Sequence, residues 1–75
     1  MLDPIIVGCV IQKFREERKL SQEVLSGFAV IGRTHLSAIE RGERKPTLET
    51  FFKIADALNV KPSIIIEAIE NEIEK

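Results

Sequence analysis

The sequence has one cysteine, one histidine and no long apolar run, and each scarcity narrows what the chain can do. A lone thiol, Cys9, cannot close an internal disulfide, which agrees with a reducing compartment. A lone imidazole, His35, leaves no His/Cys cluster at metal-ligand spacing. No stretch approaches the roughly 20 apolar residues that span a bilayer. The opening Met1-Leu2-Asp3-Pro4 lacks the basic segment that begins a secretory signal, so the cytoplasm is the expected location. A glycine-rich phosphate loop is also missing, so neither enzyme chemistry nor a cofactor is expected. Sustained strand alternation, internal repeats and low-complexity tracts are absent as well.

What is present is an ordinary globular composition: 75 residues, 44% hydrophobic and 31% charged. That length holds one domain, 1–75. A domain this small buries only about 60% of its unfolded surface and gains from oligomerising. The net charge of −1 is unevenly spread. Residues 1–47 hold eight Lys/Arg against six Asp/Glu, whereas residues 48–75 hold three against six. This asymmetry places the part suited to phosphate in the N-terminal two thirds, with an acidic tail facing away.

Apolar spacing and capping chemistry divide the chain into five short helices. The first runs from Asp3 or Pro4 to Glu17, with Asp3 as N-cap, Pro4 at the first helical position and Val7, Val10, Ile11 and Phe14 on one face. Ser21 caps the second, with Glu23 in its first turn and Val24, Leu25 and Phe28 as its apolar side. After a break at Val30-Ile31-Gly32, the third spans about Arg33 to Arg41 and stops at Gly42. Thr47 caps the fourth, which carries Phe51, Ile54, Ala55 and Leu58 and ends at Asn59. The fifth begins near Pro62 or Ser63 and covers about 62–74. Two short helices joined by a tight turn, about 21–41, form a helix-turn-helix.

The run Leu20-Ser21-Gln22-Glu23, followed by Arg33-Thr34-His35-Leu36-Ser37-Ala38-Ile39-Glu40-Arg41-Gly42, resembles the Cro/repressor-type regulators, also called the xenobiotic-response-element family. Val7-Gly8, Ile11 and Phe14-Arg15 are similar to that family's first helix. Pro46-Thr47-Leu48-Glu49-Thr50, Ile54-Ala55 and Ala57-Leu58-Asn59-Val60 are similar to its fourth. The match needs no gaps across residues 7–66. Size and the recognition-helix residues are also similar to the controller proteins of restriction–modification systems. The resemblance implies an all-α, five-helix, lambda-repressor-like DNA-binding domain. It implies a transcriptional regulator, expected to act as a homodimer on an inverted-repeat operator in double-stranded DNA.

Roles follow from the same resemblance. Arg33, Thr34, Ser37 and Ala38 fall at positions that face base edges, where arginine forks onto guanine and an alanine methyl meets only a thymine methyl. Ser21 and Gln22 fall at the phosphate-contacting start of the second helix. Arg41, Arg44, Lys45 and, at most as a phosphate contact, His35 complete the backbone set. Arg15 and Glu40 match a pair that locks the first helix to the third. Three departures stand out. Val30 and Lys19 occupy positions where the family favours glycine, and Gly32 replaces the usual hydroxyl cap. The gapless alignment implies positive φ at Val30, unfavourable for a β-branched residue.

The fifth helix is amphipathic. At 100° per residue, Ile69 and Ile73 lie within about 80° of Ile65 and Ile66 lies at about 100°, with Glu67, Glu70 and Glu74 opposite. The family docks the positions of Ile65 and Ile66 on the core. Ile69 and Ile73 are therefore expected to meet a symmetry mate, with Ile66 in the same interface and Ile64 or Val10 at its flank. The alternative function is an antitoxin-like or other protein-interaction module on the same fold. A protein partner, RNA polymerase or a toxin, stays unspecified.

Overall fold

The computed structural model describes residues 2–75; position 1 of the expected domain lies outside them. Five helices follow in order: α1 (Pro4–Glu17), α2 (Gln22–Ala29), α3 (Arg33–Glu40), α4 (Leu48–Ala57) and α5 (Pro62–Ile73). The N-terminal caps are those the sequence specifies. Asp3 accepts the N–H of Ile5, Ser21 that of Val24 and Thr47 that of Thr50, each satisfying a donor with no partner inside its helix.

The first four helices end alike. In each, one residue enters the left-handed region: Lys19 (φ 56°), Val30 (φ 56°), Gly42 (φ 78°) and Asn59 (φ 60°). The next N–H then folds back onto the helix, Leu20 to Arg15, Ile31 to Ser26, Glu43 to Ala38 and Val60 to Ala55. This double closure satisfies carbonyls that would otherwise be orphaned. Leu20, Ile31 and Val60, which follow the turn, pack against the core and anchor the reversal.

Only one of the four reversals uses glycine, and Val30 is the least suited, being β-branched. Its side chain is 79% exposed, so packing does not repay the strain. Val30→Gly should therefore stabilise the domain by up to about 1 kcal/mol, after subtracting the extra freedom glycine gains on unfolding. A thermal melt checks this: a rise of several degrees is expected, and a clear fall would mean that Val30 contributes more than it strains.

The core draws on every helix. Ile11, Leu25, Leu36, Ile39, Ile54, Leu58 and Ile65 are fully buried. α3 packs against α1 and α2, α4 against α2 and α5, and α5 lies along α1. At Gly8 the backbones of α1 and α3 approach closely: a Cβ there would stand 2.2 Å from the Ile39 carbonyl oxygen.

The packing of α5 corrects the expected interface. Ile69 is only 4% exposed and belongs to the monomer's own core, as does Val10. The cause is the length of α1, about 21 Å at 1.5 Å per residue, which gives α5 two more turns of surface to cover beyond Ile65. Ile64, Ile66 and Ile73 stay exposed.

Candidate nucleic-acid interface

The shape of α3 follows from the two faces its sequence makes. Leu36 and Ile39 are fully buried, and Glu40 is turned inward with them. Arg33, Ser37 and Arg41 recur every fourth residue, so they line up on the opposite side with Thr34 beside them. Arg33, Thr34 and Arg41 are exposed and Ser37 is half-buried.

Ala38 does not join this group. It is only 8% exposed, and its carbonyl accepts the Glu43 N–H at 2.9 Å where the chain reverses at Gly42. The expected contact between its methyl and a base is therefore corrected: Ala38 is buried within the domain. His35 is half-buried on the flank of α3, next to Gly32.

Beneath the exposed face, one carboxylate ties three helices together. Arg15 on α1 donates from Nε to Glu40 Oε2 at 2.7 Å and from Nη2 to Oε1 at 2.9 Å. Its Nη1 donates to the Leu20 carbonyl at 2.8 Å. Gln22 on α2 donates from Nε2 to Glu40 Oε1 at 2.9 Å. The Glu40 side chain is 1% exposed and that of Arg15 11%. The hydrogen bond to Glu40 raises the Arg15 pKa above its ordinary value, so the guanidinium stays charged. Gln22 is thus held inward at one amide N–H, which leaves its second for a phosphate. Ser21 spends its acceptor on the α2 cap while its exposed hydroxyl keeps a proton to donate. The pitch of α3 against α2 is set by these bonds.

The exit of α3 carries the free positive charge. Arg44 and Lys45 are exposed and, like Arg33, form no ion pair among the described residues. Arg41 is different. Its Nε and Nη2 donate to the two oxygens of Glu43 at 2.9 and 3.0 Å, and its Nη1 donates to Ser37 Oγ. The hydrogen bond from Arg41 holds the Glu43 carboxyl below the usual carboxylate range. Sequence reasoning passed over Glu43, since Arg41 and Glu43 are two apart across a helix end, a spacing that places side chains together only once the chain has turned.

A second feature was also missed. Leu2, Leu48 and Ile66 line an apolar groove of about 200 Å³, floored by Val7, Phe51 and Ile69. Phe52, exposed one turn beyond Leu48, extends it. Nothing in the sequence marks this edge, because Leu48 meets Leu2 and Ile66 only once α4 and α5 have packed together.

No helix of the described residues is long and apolar enough to cross a membrane. The family described as Helix-turn-helix matches residues 11–65. The chain is 36% identical to an uncharacterized helix-turn-helix transcriptional regulator of Sinorhizobium fredii, over 73% of this chain and 71% of that one. It is 34% identical to the control protein C.SmaI of Serratia marcescens, over 83% and 76%. Among solved structures it is similar to the restriction–modification controller protein C.Esp1396I, a tetramer in complex with its natural 35 base-pair operator. That likeness has a TM-score of 0.91 and 32% identity and covers 100% of this chain and 99% of that one. With its paired α2 and α3, its left-handed turn at Val30 and these relatives, the chain belongs to the helix-turn-helix family of Cro/repressor type and has the five-helix fold of the restriction–modification controller proteins.

Proposed function

We propose that this protein is a transcriptional regulator, a binding protein rather than an enzyme, that inserts α3 into the major groove of an inverted-repeat operator as a homodimer. The observation that carries this is the outer face of α3: Arg33, Thr34, Ser37 and Arg41 on one side, with Arg44 and Lys45, which form no ion pair among the described residues, in the loop that follows. Arg33 reads a guanine edge, and Thr34 and Ser37 read neighbouring bases. Arg44 and Lys45 set register on phosphates, with Ser21 and Gln22 holding the strand from α2. A related controller bound to its operator as an oligomer supports the same use here. The place of action is the cytoplasm, in keeping with a free, exposed Cys9.

The second copy docks on the apolar edge formed by Leu48, Phe52, Ile66 and Ile73. Ile66 and Leu48 share one groove, and Ile73 lies two turns along the same face of α5. A two-fold axis doubles each contact and places the two α3 helices about 34 Å apart, one turn of duplex.

Selection from random duplexes, followed by titration, tests the reading. Arg33→Ala should cost about 1–3 kcal/mol and relax preference at one base pair. Lys45→Ala should weaken binding to every duplex and flatten the salt slope by about one. Leu48→Asp combined with Ile66→Asp should sediment as a folded monomer with sharply weaker operator binding. A parent that is monomeric at tens of micromolar, or Arg33 and Lys45 variants that titrate like the parent, would overturn the proposal in favour of a protein-interaction module.

A further inference from the structure

We propose that Arg41 and Glu43 bias Ser37 toward donating its hydrogen bond, so that this position of α3 prefers an acceptor atom on a base edge to an amino group. The inference rests on the DNA-reading role of α3 and deepens it.

A serine hydroxyl has one O–H to give and two lone pairs to receive with, so an unrestrained serine accepts either kind of base edge. Ser37 is not unrestrained. The Arg41 Nη1–H points at its oxygen and fills a lone pair. Arg41 is itself fixed, because its remaining fork is bonded at 2.9 and 3.0 Å to the two oxygens of Glu43. The guanidinium is planar, so a bidentate grip on one edge sets the direction of the third nitrogen.

Two consequences follow for Ser37. One lone pair is spent, and the charged donor polarises the hydroxyl, strengthening its O–H as a donor. Directed outward, that O–H suits guanine N7 or O6, adenine N7 or thymine O4. The remaining lone pair can still receive an amino N–H of cytosine or adenine, but with its partner lone pair occupied by a cation the oxygen is the poorer acceptor, so the donor contact is favoured.

This also accounts for an acid at the exit of the recognition helix. A carboxylate there repels the phosphates that Arg44 and Lys45 attract. As an exposed ion pair it adds little to stability. What Glu43 supplies is direction. It is a positioning residue, acting through Arg41 on Ser37, and the pair strengthens as the duplex displaces water from the face.

The test is a duplex selection with the full chain, followed by competition at each base pair, for the parent, Ser37→Ala, Glu43→Gln and Arg41→Lys. Ser37→Ala locates the base pair that Ser37 reads. We expect the parent's preferred base to present an acceptor there. Glu43→Gln should reduce that preference about threefold to tenfold, the worth of one hydrogen bond, while leaving the Arg33 position unchanged. Overall affinity should rise, since an acid has left the phosphate side. Arg41→Lys keeps the charge but loses the fork, and should show the same loss of preference. A Glu43→Gln protein that gains affinity with its preference intact overturns the inference, as does a cytosine amino group under Ser37. A parent that selects no duplex overturns the DNA-reading role and this inference with it.

Discussion

Arg15→Ala or Glu40→Ala should each destabilise the domain by about 3–5 kcal/mol, the cost of stranding one member of a buried ion pair. Glu40 accepts three hydrogen bonds from Arg15 and Gln22, and its side chain is 1% exposed. Without Arg15, a carboxylate would remain in the interior with a single amide donor. Without Glu40, the guanidinium would keep only the Leu20 carbonyl. Replacing both by apolar residues of similar volume should recover most of the loss, since desolvating the pair offsets much of its attraction. Denaturant titration of the two single variants and the double measures this directly. Additive losses would show that the pair is not coupled. The single variants should also lose operator binding beyond their loss of folded protein, because the same carboxylate orients α3 against α2.

Gly8→Ala should be comparably damaging, although alanine is the better helix former by about 1 kcal/mol. The added Cβ would lie 2.2 Å from the Ile39 carbonyl oxygen and 2.7 Å from that of Glu40. Both are backbone atoms of the last two residues of α3, so no side chain can swing aside. α1 must lift off α3, which opens gaps around Val7 and Ile11 and stretches the Arg15–Glu40 pair. Overpacking of this kind costs about 1–3 kcal/mol, occasionally more, and here it also strains a buried ion pair, so about 3 kcal/mol net is expected. For a domain of this size that lowers the melting temperature by about 12–24 °C. Gly27→Ala is the matching control. Nothing lies within 4 Å of a Cβ there, so that variant should gain stability. A Gly8→Ala protein as stable as the Gly27→Ala protein would show that α1 and α3 do not approach as closely as described.

Glu40 and Gly8 also mark where reading the sequence stops. The pairing of Arg15 with Glu40 was an inference from resemblance, for nothing in 25 residues of separation requires it. Gly8 was visible as part of a motif, yet its reason, a backbone-to-backbone approach, exists only when two helices cross. In the same way Gln22 was assigned to a phosphate, and the fold ties one of its amide hydrogens to Glu40.

What the sequence determined by itself is local. Asp3, Ser21 and Thr47 start helices because a side-chain oxygen reaches an N–H two or three residues on. Gly42 and Asn59 end them because those residues tolerate positive φ. Val30 was assigned the same turn from its alignment. These interactions span a few residues, so they are legible without a partner. Tertiary structure decided everything that depends on what a face meets. Periodicity put Ile65, Ile69 and Ile73 on one side of α5, but only the docking of that helix along α1 buried Ile69 and left Ile73 out. Ser37 and Ala38 are neighbours on the recognition helix, yet the fold buried Ala38 and brought Arg41 and Glu43 to Ser37. A helix repeats by its own geometry, whereas burial and pairing are set by the elements packed against it.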